Sequence, residues 1–261
     1  SNIVRDLTPF QGVKAQVVDL NHNCPDQILV GMNLKNPQSF DVYLINLNNG
    51  AVEFNTHNPG NIISWTADAQ FQVRAAIAST EVGGSDLFYR ETTENSWKTM
   101  RHWGPNEEGG PILFSDDGKI LYISGNHDAN AQRLLALDLA SRQEKVVAED
   151  PQYDISGIIT HPTTCTIEAV GFYKDKLEWQ ILDESIFADF EFLKAAKKGE
   201  FRIVDRTLDD LNWLVAYFTD DGPIYYYTYD RTAKTTKFLF TNQPELEGLK
   251  LAPMEPISLS L

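Results

Sequence analysis

A short phrase recurs along the chain about every 42 to 49 residues, and it constrains the fold more than any single residue does. Each copy places a polar turn, often with Pro or Asp, between two apolar runs of strand-like composition. Aligned at these turns, the five copies stand at Pro25, Ala67, Asp116, Pro162 and Leu208, with steps of 42, 49, 46 and 46. Strand-built repeats of this length are typical of β-propeller blades. The sequence therefore predicts an all-β propeller with about five four-stranded blades.

The first repeat illustrates the strands of a blade. Residues 27–35 (QILVGMNLK) alternate between apolar and polar, as a half-buried strand does, and 40–47 (FDVYLINL) form the next strand. The tripeptide Asn48-Asn49-Gly50 then predicts a two-residue hairpin loop, because Asn and Gly tolerate positive φ. The innermost strand of each blade is predicted just before the polar turn, where small residues allow close backbone approach. These inner strands are expected over 13–20, 61–65, 110–114, 155–160 and 201–206.

The fourth repeat departs from this pattern. Between 185 and 198 the apolar residues, among them Ile186, Phe190 and Leu193, follow helical spacing. Asp183 or Ser185 can cap the start of a helix, and Gly199 can terminate it. We predict a helix over about 185–198, inserted where the outer strand of the blade would otherwise lie.

Both ends of the sequence resemble partial blades. Residues 1–10 contain NIVRDLTP (2–9), which is typical of the outer strand of a preceding blade, and a new strand begins at Ile257. We therefore expect the propeller over 1–246, N-terminally incomplete, and a Pro-rich linker over 247–261. On this interpretation the sequence is a fragment of a longer protein, and exposed blade faces predict that the isolated chain self-associates.

Composition limits the classes of partner. The formal charge is −15, which argues against nucleic acid and against anionic membrane surfaces, because both need clustered Lys and Arg. No apolar run approaches the roughly 18 residues of a membrane span, and no signal peptide is visible. Cys24 and Cys165 are too few for a disulfide framework, so we expect partly buried thiols in a reducing, cytoplasmic environment.

The last repeat and its exit resemble a known family. Tyr227-Thr228-Tyr229-Asp230-Arg231 is followed by an apolar outer strand and then by Leu251-Ala252-Pro253-Met254. This order is similar to the final propeller blade and linker of prolyl-oligopeptidase-family serine peptidases, including dipeptidyl aminopeptidases and acylaminoacyl peptidases. The helical fourth repeat, from Ala188-Asp189-Phe190-Glu191 onwards, resembles the same group. The likeness covers 155–261 well and the rest loosely.

The resemblance implies a seven-bladed propeller that covers a Ser-Asp-His α/β-hydrolase domain. That domain requires a Gly-x-Ser-x-Gly elbow, because the tight turn admits only small neighbours. No such motif occurs; Gly83-Gly84-Ser85-Asp86 and Asp154-Ile155-Ser156-Gly157 come closest. We therefore predict no catalytic residue, no cofactor site and no metal site within these residues, and leave the residues of the substrate-facing rim unassigned.

Several polar groups nevertheless invite functional interpretations. None of the five histidines, His22, His57, His102, His127 and His161, has metal-ligand spacing. His102-Trp103 and His127-Asp128 lie at strand ends, where they either contact substrate or serve the loops. Glu107-Glu108 could attract a peptide amino terminus.

Two further motifs have simpler structural explanations. Asp116-Asp117-Gly118-Lys119 lacks the remaining oxygen ligands of a calcium loop, so a turn is favoured, and Asp68 and Asp209-Asp210 are expected at its position. The run Tyr225-Tyr226-Tyr227-Tyr229 could stack on a ligand, but alternation along a strand favours packing on both faces of a blade.

Three functions remain open at this point. The first is a non-catalytic propeller that admits oligopeptides to a serine peptidase domain of the same protein and excludes folded proteins. The second is a stand-alone propeller that acts as a protein-interaction scaffold. The third is a small-molecule hydrolase such as a lactonase, for which Asp19 and Asp205 are the main inner-strand carboxylates.

Overall fold

The computed structural model describes residues 4–257 and divides into two compact units. Unit 1 extends to Gln152 and unit 2 begins at Tyr153. Both units consist of antiparallel meanders, in which each strand pairs with the next one along the chain. Among the described residues, no helix is long and apolar enough to cross a bilayer.

Unit 1 contains three four-stranded sheets. The first sheet has the strands β1 (Ala15–Leu20), β2 (Gln27–Asn36), β3 (Ser39–Asn46) and β4 (Val52–Thr56). The second has β5 (Ile62–Ala67), β6 (Val73–Ser79), β7 (Ser85–Tyr89) and β8 (Lys98–Trp103). The third has β9 (Gly109–Phe114), β10 (Ile120–Gly125), β11 (Arg133–Asp138) and β12 (Glu144–Ala148).

Unit 2 contains a three-stranded sheet, one α-helix and a four-stranded sheet. The fourth sheet of the chain has β13 (Ile155–Thr160), β14 (Ile167–Tyr173) and β15 (Leu177–Ile181). A 3-10 turn (Glu184–Ile186) leads into α1 (Phe187–Ala196). The fifth sheet has β16 (Glu200–Arg206), β17 (Asn212–Phe218), β18 (Tyr225–Asp230) and β19 (Thr235–Thr241), and a second 3-10 turn covers Pro244–Leu246.

The helix predicted in the fourth repeat is confirmed, and it follows a sheet that has only three strands. Its entry is capped by Asp183, whose side chain accepts a hydrogen bond from the Ser185 backbone N–H at 2.8 Å. Gly199 follows the helix at φ +101°, and a Cβ there would collide with the Phe218 carbonyl oxygen. Helix and cap therefore follow from local sequence signals.

The backbone corrects the alignment of the repeats. The first residue of each inter-strand turn accepts local hydrogen bonds with its backbone or side chain, as in Phe71 N–H to Asp68 O and Gly118 N–H to Ser115 O, both 2.8 Å. The equivalent residues are Asn21, Asp68, Ser115, His161 and Thr207. Their steps are 47, 47, 46 and 46, so the predicted equivalence of Pro25 and Ala67 is wrong.

In this corrected alignment, the acidic residues of the turns do not all occupy the same position. Asp117 and Asp209 are equivalent, since each carboxylate accepts a hydrogen bond from a hydroxyl two residues earlier, at 2.8 and 2.6 Å. Asp68 instead begins its own turn. The predicted turn over 116–119 is therefore confirmed. The prediction that Asp68 occupies the same turn position as Asp116-Asp117 and Asp209-Asp210 is wrong.

The hairpin between β3 and β4 is also longer than predicted. The loop closes between Asn46 and Ala51, whose N–H and O atoms lie 2.9 Å apart, so four residues separate the two. The Asn46 side chain accepts hydrogen bonds from the Asn48 and Asn49 N–H groups, and Gly50 takes φ +74°. This side-chain cap favours a wider loop than the two-residue turn that Asn and Gly suggest.

The ends of the described chain are irregular. Residues 4–10 form no strand, so the outer strand predicted over 2–9 is not found in the part that the structure describes. Residues 250–257 have no regular structure. The strand predicted from Ile257 lies otherwise outside the described residues.

The apolar cores lie between neighbouring sheets. In unit 1 the indole of Trp103, fully buried, packs between the second and third sheets with Leu121 and Ile123. A Cβ at Gly109, the first residue of β9, would collide with that indole. The small residue in this inner strand therefore serves close packing, as predicted.

Candidate functional site

Three histidines of unit 1 share one arrangement, which we call the histidine pairs. In each pair the histidine Nδ1 lies within hydrogen-bond distance of a carboxylate oxygen: His57 and Asp41 (3.0 Å), His102 and Asp86 (2.8 Å), His127 and Glu107 (2.6 Å). The first two pairs arise from the same register, since each acid near the start of a third strand faces a histidine at the end of a fourth strand. Antiparallel pairing thus places them at equivalent ends of their sheets.

The third pair joins Glu107, in the loop before β9, to His127, in the loop between β10 and β11. Glu107 also accepts a hydrogen bond from the Gly104 N–H at 2.8 Å, and this bond, followed by the one from His127, lowers the pKa of the Glu107 carboxyl. Glu108 accepts a hydrogen bond from the Gln132 amide at 2.8 Å. Glu107 therefore closes its own loop, and both acids bind the loop between β10 and β11. Recognition of a peptide amino terminus by Glu107-Glu108 stays a hypothesis.

The histidine pairs do not amount to a catalytic centre. A serine-type mechanism requires a hydroxyl or thiol that hydrogen-bonds to the imidazole nitrogen opposite the carboxylate. Within residues 4–257, no hydroxyl or thiol hydrogen-bonds to His57, His102 or His127. The described residues of the histidine pairs therefore supply an imidazole and a carboxylate but no nucleophile.

Unit 2 contains a buried cluster of charged side chains that was not predicted. At its centre, Arg206 forms two hydrogen bonds of 2.5 Å with the Asp210 carboxylate and also pairs with Glu168. The side chains of all three are at most 8% exposed. The Trp213 indole N–H donates to Asp210 at 2.7 Å, and the Arg231 guanidinium also pairs with that carboxylate.

The cluster continues into α1 through Asp189. This carboxylate, 2% exposed, accepts hydrogen bonds from Tyr229 Oη at 2.6 Å and from Arg231 at 2.9 and 3.1 Å, and it pairs with Lys234. Burial tends to raise the pKa of Asp189, but the hydrogen bonds from Lys234, Tyr229 and Arg231 lower it below its usual value. Asp189 therefore stays ionised and joins the helix to the fifth sheet.

Three ligand-type residues of this cluster lie close enough to suggest a metal. One ligand atom each of His161, Glu168 and Asp210 lies within 4.8 Å of the others. However, the carboxylates are neutralised by Arg206 and Arg231, and His161 Nδ1 accepts hydrogen bonds from the Thr163 and Thr164 N–H groups at 3.3 Å. A divalent cation beside a guanidinium would be repelled. The donor set therefore suits arginine and does not fit a metal.

The tyrosine run packs on both sides of its strand, as predicted. Tyr229 is fully buried, and Tyr225 and Tyr227 pack against the same apolar cluster. On the opposite side of β18, Tyr226 stacks on Phe240 with centroids 4.7 Å apart. Cys24 and Cys165 are both partly buried, as predicted.

Comparisons with known proteins identify relatives of this chain. No protein-family model matches the chain. The chain is 36% identical over 262 residues to dipeptidyl aminopeptidase BIII of Pseudoxanthomonas mexicana, covering 98% of this chain and 37% of that protein. It is 25% identical over 252 residues to dipeptidyl peptidase family member 6 of Caenorhabditis elegans, covering 92% of this chain and 34% of the relative. The chain thus spans about a third of the length of the curated relatives it matches.

A solved structure supports the fold. A Mycobacterium tuberculosis puromycin-hydrolyzing peptidase superposes with a TM-score of 0.57 over 91% of this chain and 39% of that one, at 11% identity. The chain is a β-propeller segment of the prolyl oligopeptidase family. The five sheets are its blades, and α1 replaces the outer strand of the fourth.

The two phrases that carried the family resemblance meet in the buried cluster of this propeller segment. Asp189 of ADFE and Arg231 of YTYDR form the ion pair that holds α1 against the fifth blade. Sequence reasoning noticed both phrases but did not pair them. A sequence signal for this ion pair would be one acidic residue among the apolar residues of a predicted helix, followed later by an arginine at the end of a predicted strand.

Proposed function

We propose that this propeller segment is the non-catalytic, substrate-selecting part of a serine peptidase that cleaves oligopeptides. The observation that carries the proposal is the 36% identity to dipeptidyl aminopeptidase BIII along nearly the whole chain, which accounts for 37% of that relative. A relative of that length has room for a separate catalytic domain. We propose an α/β-hydrolase domain of the same polypeptide as the partner, and an oligopeptide as the substrate.

The contacts between blades of unit 1 support a selective role. Arg90 of the second blade donates to Thr56 Oγ1 of the first at 2.7 Å, and its side chain is buried. Arg74 of the second blade donates to the Gly118 carbonyl oxygen of the third at 3.3 Å. These bonds resist separation of neighbouring blades within unit 1. Such a rigid cover would select substrates by size.

The test uses the complete protein that contains this segment. Its kcat/KM is measured on dipeptidyl anilides, on peptides of about 5 to 30 residues, and on one protein in folded and unfolded forms, since size selection acts on access. We expect hydrolysis of the anilides and short peptides and rejection of the folded protein. Absence of any peptidase activity would contradict the enzyme assignment and favour the interaction scaffold instead.

A variant separates gating from catalysis. Thr56→Val removes the acceptor of the bond from Arg90 and leaves the bonds of Arg90 to the Val73 and Thr93 carbonyl oxygens in place, so the first two blades separate more readily. We expect activity on long peptides to rise several-fold and activity on anilides to stay unchanged. Arg142→Ala, in an exposed turn of the third blade, is the matched control. Equal cleavage of folded and unfolded protein by the unmodified enzyme would eliminate the gating role while leaving the peptidase role intact.

A further inference from the structure

Arg202 of β16 is the one partly buried arginine of the described chain that has no polar partner. Seven of the nine arginines in the sequence donate hydrogen bonds to acceptors in the protein. Arg142 lies exposed in a turn, so only Arg202 combines burial with a free guanidinium. Its Nε has no accessible surface, whereas Nη1 and Nη2 retain some and make no hydrogen bond. The two Nη groups are therefore open to a ligand.

Two aromatic rings hold this guanidinium. The Arg202 Cζ lies 4.5 Å from the ring centroid of Phe218 and 5.8 Å from that of Tyr173. Phe218 is the last residue of β17 and Tyr173 is the last residue of β14, so two neighbouring sheets supply one ring each. An arginine stacked on aromatic rings keeps its N–H fork free for a planar acceptor. The rings thus orient the guanidinium without engaging its donors.

The repeat itself does not require this arrangement. Counted back from the first residue of each turn, the position of Arg202 holds uncharged residues in the other four sheets: Gln16, Ile63, Gly110 and Ser156. The second strands of the three sheets in unit 1 end in Asn36, Ser79 and Gly125, none of which is aromatic. The arginine and its two rings are therefore not part of what holds an ordinary blade together.

The acids nearest to Arg202 on β16 have other partners. Glu200 Oε2 accepts the Leu177 N–H at 3.0 Å, and Asp205 Oδ1 accepts the Arg206 N–H at 2.8 Å. Arg202 forms no ion pair within residues 4–257, although the sequence has 37 acidic residues against 22 basic ones. Because a charged side chain taken out of water normally pairs with an opposite charge, the free Nη groups point to an anionic ligand.

A carboxylate fits this guanidinium better than a phosphate does. The two oxygens of a carboxylate lie in one plane and match Nη1 and Nη2, as in bidentate arginine–carboxylate pairs. A phosphate would bring up to two negative charges to a chain whose formal charge is already −15, and this repulsion disfavours it.

We propose that Arg202 binds a ligand carboxylate through Nη1 and Nη2, beside the rings of Phe218 and Tyr173. In the proposed peptidase the ligand is the free C-terminus of an oligopeptide substrate, because every unmodified oligopeptide carries one. The identity of the ligand rests on that proposed function, whereas the carboxylate site itself does not.

Phenylglyoxal labelling of the complete protein tests the site without using activity. The reagent condenses with free guanidinium groups, and mass spectrometry of a digest gives the labelling rate of each arginine. We expect Arg202 to be labelled, and 3-phenylpropionate at about ten times its Kd to slow that labelling about tenfold. The amide 3-phenylpropionamide should have no effect. Arg142 is the internal control, because neither compound should change its labelling rate.

Peptide kinetics test the identity of the ligand. Short peptides are compared as free acids and as C-terminal amides, and kcat/KM should be about tenfold higher for the acids. Arg202→Met removes the fork and should bring this ratio to about one, whereas Arg202→Lys keeps a positive charge and should retain part of it. Arg142→Met is the matched control and should retain the full ratio. Near-UV circular dichroism confirms that the variants fold.

The two experiments separate the ways in which the proposal can fail. Equal effects of 3-phenylpropionate and its amide on Arg202 labelling would overturn the carboxylate site. An Arg202 that is unreactive in the complete protein until urea unfolds it would assign the guanidinium to an acid of the same polypeptide, which also overturns the proposal. Protection of Arg202 with equal kcat/KM for acids and amides would eliminate the peptide C-terminus as the ligand. Absence of any peptidase activity would contradict the proposed function and leave the labelling result standing.

Discussion

The two units of this propeller segment are built from the same repeat, yet they join neighbouring sheets differently. In unit 1 the second and third sheets meet across an apolar cluster around Trp103, and single arginines such as Arg74 and Arg90 bridge the sheets. In unit 2 the fourth and fifth sheets meet across aromatic side chains and three buried acids, which pair with the buried Arg206, the mostly buried Arg231 and the partly exposed Lys234.

The difference follows from the missing fourth strand. A strand that completes a sheet satisfies its own backbone and contributes side chains to two faces. A helix in that position contributes a single apolar stripe, and α1 also brings Asp189 into the interior. An isolated buried carboxylate is costly, so Arg231, Lys234 and Tyr229 must accompany it. The exchange of a strand for a helix therefore makes unit 2 depend on charge pairing.

The largest effect should come from removing the acid in the helix. Asp189→Ala leaves the fully buried Tyr229 hydroxyl without its acceptor and removes one of the two acids paired with Arg231, so it should destabilise unit 2 by about 3 kcal/mol. The measurement is urea unfolding followed by tryptophan fluorescence. Asp116→Ala, in an exposed turn of unit 1, is the control. Equal losses for the two variants would break the contrast between the units.

Next in size is a steric change in unit 1. Gly109→Ala forces a methyl group into the Trp103 indole and should cost about 1–3 kcal/mol. Gly110→Ala is the neighbouring control, because its Cβ would lie 3.4 Å from Ile77 Cγ1, and it should be neutral or stabilising by up to about 1 kcal/mol. If both variants unfold alike, close packing is not what governs this sheet contact.

Removing the hydroxyl group of a buried tyrosine should have a smaller effect on stability, and the effect should differ between the two units. Tyr217 Oη in unit 2 donates to the Leu193 carbonyl oxygen of α1 at 2.8 Å, so Tyr217→Phe should cost about 1–2 kcal/mol. Tyr43 Oη in unit 1 is buried without a partner among the described residues, so Tyr43→Phe should be neutral or stabilising. Thermal unfolding of the two variants measures the difference, and a loss at Tyr43 as large as at Tyr217 would contradict it.

The smallest effect should be the loss of unfolding free energy of unit 2 at acid pH. Because the folded pKa of Asp189 lies below its usual value of 3.8, its contribution is present above pH 3.8 and is lost as pH falls through the folded pKa. The difference in unfolding free energy between the unmodified protein and Asp189→Asn should therefore shrink between about pH 5 and pH 2.

An exposed acid of unit 1 provides the comparison. Hydrogen bonds from Lys119 and Ser115 lower the pKa of Asp117 to about 2, but this side chain lies in an open turn. Asp117→Asn should change unfolding less than Asp189→Asn at every pH. A steeper acid dependence for the Asp117 variant would reverse the expected ranking of the two units.

Much of the fold could be predicted because its signals are local. Strand alternation, the apolar spacing over 185–198 and the Asp183 cap each involve residues within one element. The register of the turns was harder, because Pro25 looks like a turn residue but only the backbone bond from Cys24 N–H to Asn21 O identifies where the turn starts. The predicted length of the loop between β3 and β4 was wrong for a similar reason, because the Asn46 side chain selects the wider loop.

The candidate sites could not be predicted in the same way. Asp189 and Arg231 are 42 positions apart, and nothing near either residue shows that they meet. The histidine pairs depend on strand register, and the unpaired edge of β15 appears only once each strand has been assigned a neighbour.

By itself, the sequence determined the repeat, the strand-rich blades and the helix in the fourth, because propensity and periodicity act over a few residues. Tertiary structure alone decided which charges are buried together and which strand edge stays open. Those outcomes depend on contacts between residues far apart in the chain, where burial removes water and every polar group must find a partner.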